Sequence, residues 1–296
     1  MARRGFQHAG SVPVKIDRRT AVCTAAAMVA FAGNSVLTRL ALGRAEIDAA
    51  TFTTFRIAGG AGMLLAMTAL AESGKVRLTG SWASAAVLFI YAIPFSFAYN
   101  SLTAGTGALI LFAFVQVTMM VAAVSAGERP HWSQWVGLTL ALCGLIYLVL
   151  PGLKAPSPSG SVLMAIAGIM WGVYSLRGRG SGNPLLLNMS NFIRTLPLVI
   201  VVNLLVRSQI HVTTAGVLLA LGSGAITSGL GYVLWYTALR QLTAVRAAIV
   251  QLMVPVLAGV GGVVFLGETV SLRLVASGVI VLGGIALALT GGRKFG

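Results

Sequence analysis

The chain has 296 residues, of which 57% are hydrophobic and only 9% are charged, and its mean hydropathy is +0.91. A soluble protein carries about 25% charged residues, so this composition excludes a water-soluble globule and indicates an integral membrane protein. The net charge of +15 does not indicate nucleic acid binding, because the basic residues lie between apolar segments and form no basic stripe.

The order of polar and apolar segments predicts a tail and ten membrane helices. Residues 1–19 are polar and basic, and we interpret them as a cytoplasmic tail. The pair Arg18-Arg19 also resembles an export signal, but the many apolar segments that follow favour the tail. A membrane helix needs about 20 apolar residues. Runs of this kind, separated by prolines and charged residues, predict spans at 20–42, 50–71, 82–102, 104–126, 132–150, 160–177, 184–206, 213–239, 243–266 and 270–290.

The basic residues between the spans predict the orientation. Ten spans place both termini on the same side of the membrane. With the N-terminus inside, the inner segments hold fourteen Lys and Arg residues and the outer segments hold five. Positive residues accumulate in cytoplasmic loops. We therefore expect both termini in the cytoplasm and the chain in a bacterial-type inner membrane.

The two halves of the sequence resemble each other. Tyr99-Asn100-Ser101-Leu102 corresponds to Tyr236-Thr237-Ala238-Leu239, and Gly127-Glu128 corresponds to Gly267-Glu268. Five spans per half is an odd number, so the halves must have opposite orientations. The predicted fold is all-α and integral to the membrane, with two inverted five-helix repeats at residues 20–150 and 160–290. Secondary transporters often have this architecture, with the substrate bound at mid-membrane between the repeats.

Several short motifs extend the pattern. The second half has a proline-bearing helix, a Gly-Glu turn, a glycine-containing last helix and a Trp-Gly pair in its first helix: Pro255, Gly267-Glu268, Gly278 with Gly283-Gly284, and Trp171-Gly172. Each half thus resembles an EamA domain of the drug/metabolite transporter superfamily. The first half departs from that pattern, because Phe31-Ala32-Gly33 stands where Trp-Gly is usual and Val115 where the proline is usual.

The resemblance implies transport of small organic metabolites by alternating access, most often export or facilitated exchange of amino acids. Aromatic residues in the spans are compatible with aromatic or apolar amino acids as substrates. An efflux protein for drugs or lipophilic cations would share this fold and remains an alternative. A channel and a membrane-embedded enzyme are alternatives of other classes.

The carboxylates all lie outside the predicted spans: Asp17, Glu46, Asp48, Glu72, Glu128 and Glu268. Proton and sodium relays usually need a membrane-embedded Asp or Glu, so exchange or downhill efflux fits better than a carboxylate-driven pump. The same pattern disfavours an enzyme, since the spans contain no acid/base pair. The histidines and cysteines have no ligand-like spacing, and we predict neither a metal site nor a cofactor.

Polar and aromatic side chains within the spans are the candidates for the substrate-binding cavity. They are Asn34, Tyr99, Asn100, Gln116, Trp171, Tyr174, Trp235 and Gln251. In lipid a polar amide seeks a partner across a helix interface or water in a cavity. Tyrosine and tryptophan also collect at the headgroup level, and for residues 232–236 this is a serious alternative.

Two arginines and two prolines lie within the predicted helices and could have structural or gating roles. Arg56 and Arg194 could bind the carboxylate of a substrate, but capping of free carbonyls or snorkelling to the interface is the favoured interpretation. Pro94 and Pro255 are expected to bend their helices. The expected partners are a small-molecule substrate and the lipid bilayer, and the sequence does not indicate the oligomeric state.

Overall fold

The computed structural model describes residues 17–71, 78–126, 131–150, 155–179, 182–242, 247 and 250–290. In these ranges the chain forms ten main helices and a 3₁₀ turn at Arg207–Gln209. The helices are α1 (Arg18–Gly43), α2 (Ala49–Ala71), α3 (Trp82–Ala98), α4 (Ala104–Ser125), α5 (Trp132–Val149), α6 (Pro158–Gly178), α7 (Pro184–Leu205), α8 (Thr214–Leu239), α9 (Met253–Leu266) and α10 (Leu272–Thr290). Over the same residues β-structure is limited to a single bridge between Ile47 and Val212.

Six helices of the described chain, namely α1, α2, α4, α6, α7 and α8, are long and apolar enough to cross a membrane. Shorter apolar helices lie within α3, α5, α9 and α10. Large apolar side chains such as Val162, Leu218 and Val264 are more than 60% exposed, while Asn188 and Asn191 are buried. A bilayer favours this distribution, because lipid solvates apolar side chains while polar groups must find partners inside the protein.

Local sequence explains where most of the helices begin. A hydroxyl, amide or carboxylate just before the helix accepts a hydrogen bond from a backbone N–H of the first turn, which would otherwise lack a partner. Eight helices start in this way, from α1 to α4, from α6 to α8 and α10, and the capping residues are Asp17, Asp48, Ser81, Thr103, Ser157, Asn183, Thr213 and Ser271.

The third helix is shorter than predicted. α3 ends at Ala98, four residues before the end of the predicted span, and the Tyr99 N–H turns back to the Ser96 carbonyl at 3.1 Å. Thr103 then caps α4. Tyr99 and Asn100 therefore lie in the turn between the two helices, and the prediction that they belong to a helix is wrong.

The predicted span 243–266 is interrupted before α9, because residues 247 and 250 are helical but residues 251 and 252 form a turn. Pro255 lies in the first turn of the helix, which begins at Met253. Proline has no N–H to donate to the carbonyl four residues earlier, here that of Gln251. This carbonyl instead accepts from Val254 at 3.1 Å. Pro94, in contrast, lies inside the continuous helix α3.

The two halves of the chain are interleaved. The most extensive contacts between helices join the first five to the last five: α3 and α4 pack on α6, α1 packs on α8 and α9, α2 packs on α7 and α8, and α5 packs on α10. The buried centre of the protein therefore lies between the halves and not within either of them.

The connections between helices gather at two opposite ends of the bundle. At the first, which we call the Glu268 end, Glu46 pairs with Thr213 and Asp48 with the backbone of His211. At the other, the Arg177 end, the Arg177 guanidinium donates to Ser84 Oγ at 3.0 Å. The connections after α1, α3, α7 and α9 lie at the Glu268 end, and the described parts of those after α2 and α6 lie at the Arg177 end.

Candidate functional site

A small central cavity lies where the two halves meet. Its volume is about 10 Å³, which is space for about one water molecule. Residues of α1, α3 and α4 line it from the first half and residues of α6 and α8 from the second. The lining residues are Phe31, Asn34, Ser35, Tyr91, Phe95, Leu111, Phe112, Trp171 and Tyr232.

Trp171 lies at the centre of the aromatic wall. Its ring centroid is 4.7 Å from that of Tyr232, 5.1 Å from that of Phe31 and 5.3 Å from that of Tyr91. Phe31 meets Trp171 edge to face, with an interplanar angle of 82°. Such pairs stabilise packing beyond simple burial. The wall is thus a cluster of rings contributed by four helices.

Hydrogen bonds fix the orientation of Trp171. Its indole N–H donates to Gln251 Oε1 at 3.0 Å, and the Gln251 amide donates in turn to the Ala247 carbonyl at 3.1 Å. Both side chains are at most 2% exposed. Two of the predicted site residues, distant in sequence, are therefore joined beside the cavity.

Asn34 connects the first helix of the chain to α8. Its Oδ1 accepts from Ser223 Oγ at 2.7 Å and from Thr227 Oγ1 at 3.3 Å. Both donors lie in the segment Ser223–Leu230, which is wound as a π-helix inside α8. π-Helical turns are uncommon and often occur at functional sites. Here the turn presents two hydroxyl groups to one amide of the other half.

Tyr174 holds a second polar cluster next to the rings. Its hydroxyl donates to Asn188 Oδ1 at 3.1 Å and accepts from Asn191 Nδ2 at 3.2 Å. The Tyr236 hydroxyl donates to the Tyr174 carbonyl at 2.8 Å. Close by, the Trp235 indole donates to Ser175 Oγ at 3.3 Å. These buried contacts place Tyr174 and Trp235 in the interior and not at a headgroup belt.

Arg56 lies behind the aromatic wall. Its side chain is 1% exposed, and its Cζ is 4.9 Å from the centre of the Phe95 ring and 5.5 Å from that of Tyr91. One of its nitrogens donates to the Ala92 carbonyl at 3.4 Å, whereas Nε and Nη1 have no hydrogen-bond partner among the described residues. Arg194 differs, because it is half-buried and donates to the carbonyl of Ser190 at 3.3 Å.

The other predicted site residues lie farther from the cavity. Asn100 is exposed and lines a separate cavity of about 290 Å³ at the Glu268 end. Tyr99 is buried in the same turn, where its hydroxyl contacts the Ala104 carbonyl at 3.4 Å. Gln116 is buried on α4, the helix that also carries the lining residues Leu111 and Phe112.

Comparison with known proteins identifies the family. The model of the EamA-like transporter family matches residues 18–150 and again residues 158–290. The chain belongs to the EamA-like transporter family. The resemblance seen in the sequence motifs is thereby confirmed, and the chain is a multi-pass membrane protein of a transporter family.

Named relatives of this EamA-like protein span most of its length. It is 48% identical to an uncharacterized protein of Pseudomonas aeruginosa over 92% of this chain and 95% of that protein. It is 26% identical to a "probable amino-acid metabolite efflux pump" of Salmonella typhimurium, over 73% of this chain and 75% of the relative. A "probable terminal-alkyne amino-acid exporter" of Streptantibioticus cattleyicolor is 25% identical over 62% of this chain and 63% of its own.

A solved crystal structure has the same fold. It aligns with 92% of this chain and 99% of its own, with a TM-score of 0.68 and 18% sequence identity. At that identity the match supports the fold of this EamA-like protein and nothing about its substrate.

The Gly-Glu motif of this EamA-like transporter has a structural role. Glu268 accepts from the Ala104 N–H at the start of α4, at 2.9 Å, and pairs with Arg39 Nε at 3.2 Å. A carboxylate at a helix N-terminus satisfies free N–H groups and interacts favourably with the helix dipole. Gly267, at φ 66°, makes the turn that brings Glu268 there. The motif therefore ties α1, α4 and α9 together at one end.

Several lining residues were absent from the sequence-based candidates. Two of them, Tyr91 and Phe95, lie four residues apart and share one face of α3 and its C-terminal turn with the predicted candidate Tyr99. The ring centroids of Tyr91 and Phe95 are 5.4 Å apart, and the rings of Phe95 and Tyr99 meet edge to face at 5.0 Å. This four-residue spacing was the feature of the sequence that could have identified these residues as one face of a helix. It could not show that the face points to the centre of the protein instead of to lipid.

Proposed function

We propose that this EamA-like transporter exports amino acids or closely related small metabolites across the bacterial inner membrane by alternating access. The observation that best supports this is the central cavity, since both halves of the chain contribute to its wall. Carriers of this type place the substrate between two repeats and expose it to each side in turn. The relatives named as amino-acid exporters suggest the class of substrate.

The arrangement of the helices supports an inverted repeat with ten crossings. Helices in equivalent positions of the two halves pack on each other in the pairs α2–α7, α4–α9 and α5–α10. The contact of α3 with α6 has its counterpart in that of α8 with α1. A two-fold axis in the membrane plane would relate these contacts. By the distribution of basic residues, the Arg177 end would face the cytoplasm.

Contacts at the two ends suggest how access alternates. At the Glu268 end, Arg39 and Glu268 join α1 to the α9–α10 turn. At the Arg177 end, Arg177 joins α6 to the start of α3, and Ser190 accepts from the Thr79 N–H at 2.9 Å. With both sets formed, the cavity has room for one water only. Release of one set at a time would open the cavity to one side.

The cavity wall favours an apolar or aromatic side chain on the substrate. Phe31, Tyr91, Trp171 and Tyr232 offer ring faces and edges, while Asn34 and Ser35 offer hydrogen bonds. Specific pockets usually combine apolar walls with a few polar groups of this kind. The carboxylates of the described chain lie at helix ends, so facilitated exchange or downhill efflux fits better than coupling through an embedded acid.

Counterflow in proteoliposomes tests the proposal. Vesicles preloaded with unlabelled leucine or phenylalanine should accumulate the labelled amino acid transiently and saturably. A channel would give currents or non-saturable flux, and a drug-efflux protein would prefer lipophilic cations over amino acids in competition. No saturable counterflow with any of the twenty amino acids would contradict the proposal.

A further inference from the structure

Arg56 brings a positive charge into the centre of the helical bundle. Arginine keeps its charge in proteins and offers five N–H donors. A buried cation without an anionic partner is strongly destabilising, so natural proteins usually pair it. Arg56 is 1% exposed, and its guanidinium makes one long hydrogen bond, to the Ala92 carbonyl at 3.4 Å.

The described protein offers Arg56 no carboxylate. Asp17, Glu46, Asp48 and Glu268 all lie at helix ends and are engaged there by Thr20, Thr213, His211 and Ala104. In the described residues the salt bridge is that of Arg39 with Glu268. The rings of Tyr91 and Phe95 interact with the face of the guanidinium, but ring faces leave its in-plane donors Nε and Nη1 without partners.

This geometry fits neither of the purely structural roles of an intramembrane arginine. A snorkelling side chain would carry its charged end to the membrane surface, whereas Arg56 is enclosed on all sides. An arginine that caps a broken helix would use most of its donors on carbonyls. α2 is continuous from Ala49 to Ala71 around Arg56, and two of the Arg56 nitrogens have no partner in the part of the chain that the structure describes.

We propose that Arg56 binds the carboxylate of the transported substrate and thereby selects anionic and zwitterionic compounds. The inference rests on the proposed function, because it assigns a role within the same site. The guanidinium packs on Tyr91 and Phe95, which both line the cavity. Since the cavity has room for about one water, substrate entry must enlarge it, and rotation of either ring gives the substrate access to Nε and Nη1.

A carboxylate suits this site better than a phosphate. A single guanidinium matches the charge of one carboxylate and binds it through charge-assisted hydrogen bonds. Arg194, the other arginine that the sequence singled out within a helix, is half-buried and bonded to the carbonyl of Ser190. The remaining wall is aromatic and apolar, which fits the side chain of an amino acid.

A series of substrate analogues tests the role of Arg56 in the wild-type protein. The probes are leucine and phenylalanine, each with its amide and its decarboxylated amine, used as competitors of amino-acid counterflow. Each acid should compete about 10-fold or more better than its amide or its decarboxylated amine, which both lack the carboxylate. Equal competition by acid, amide and amine, together with saturable transport, would overturn the role of Arg56 and leave the proposed function standing. Absence of binding and transport for all six compounds would overturn both.

Substitution of Arg56 gives the second arm. Arg56→Gln should raise the Kd of the acids about 10- to 100-fold while changing that of the amides less than about 3-fold. Arg56→Lys should restore part of the loss, because it keeps the charge but not the fork of donors. Arg194→Gln is the matched control and should keep the preference for acids. Unchanged acid affinity in folded Arg56→Gln would overturn the proposal, and the wild-type series decides the question if the variant does not fold.

Discussion

The Trp171 indole donates to Gln251 Oε1 at 3.0 Å, across 80 positions of sequence and between α6 and the residues that precede α9. This bond holds the most central ring of the cavity wall against the turn that precedes α9 and Pro255. A movement of α9 relative to α6 would break the bond or carry the ring with it. Trp171 is therefore placed to couple the cavity to helix motion.

The variant Trp171→Phe distinguishes the contribution of the aromatic ring from that of the indole hydrogen bond to Gln251. Phenylalanine keeps most of the aromatic packing but leaves Gln251 Oε1 buried without its indole donor, which costs about 1–3 kcal/mol. We expect a lower melting temperature in detergent and reduced amino-acid counterflow. The double variant Trp171→Phe with Gln251→Leu should regain stability, since an apolar pair needs no hydrogen bond, but should not regain transport.

Trp82→Phe is the control for the single and double variants of Trp171, because Trp82 is 61% exposed. It should behave as wild type in both measurements. Normal counterflow in the double variant would show that the Trp171–Gln251 bond serves stability alone.

Two glycines of α8 should respond in opposite ways to alanine. A Cβ at Gly224 would collide with the Arg56 carbonyl of α2 and lie 2.9 Å from the Gly60 nitrogen, whereas a Cβ at Gly222 would meet nothing within 4 Å. Gly224→Ala should destabilise the protein by about 1–3 kcal/mol through overpacking. Gly222→Ala should be neutral or slightly stabilising, because alanine is the better helix former. Melting temperatures of the two variants test this, and equal values would contradict the α2–α8 packing.

The Glu268 carboxylate should contribute to stability in two separable ways. Glu268→Gln loses the ion pair with Arg39 but can still accept from the Ala104 N–H, and partly exposed ion pairs contribute about 1 kcal/mol or less. Glu268→Ala also removes the cap of α4, for a total loss of about 1–2 kcal/mol. We expect the melting temperature to fall in the order wild type, Gln, Ala. An alanine variant as stable as wild type would show that the cap has no stabilising role.

The bond between Asn34 and Ser223 can be measured by a double-mutant cycle. Asn34→Ala and Ser223→Ala, alone and combined, should show a coupling energy of about 0.5–2 kcal/mol in unfolding from mixed micelles, the range found for hydrogen bonds between membrane helices. The same cycle with Thr195, which bonds within α7 and to the Ala85 carbonyl, should show coupling to Asn34 near zero. Additive effects of Asn34 and Ser223 would contradict a direct interaction.

The sequence by itself determined the membrane character, the helical class, the duplication and the residue types at most helix starts. These properties depend on composition and on contacts within a few residues, such as the bond from Ser81 Oγ to the Ser84 N–H. The effect of a proline on its helix is equally local, because the missing N–H removes one backbone hydrogen bond. The interruption of helical structure just before Pro255 could therefore be expected from the sequence. The length of α3 could not be predicted from the sequence, because Tyr99 and Asn100 are as compatible with a helix as with a turn.

The tertiary structure decided which faces of the helices meet. A four-residue spacing aligns Tyr91 with Phe95 but does not tell whether that face contacts lipid or protein, since apolar rings are stable in both. The partners of Asn34, Trp171 and Tyr174 lie 189, 80 and 14 residues away, on other helices or turns, so tertiary packing decides each pairing. The bond of Asn34 also depends on the interleaving of the halves. The same packing encloses Arg56 away from the four carboxylates of the described residues, and only three-dimensional burial distinguishes it from an arginine at the membrane surface.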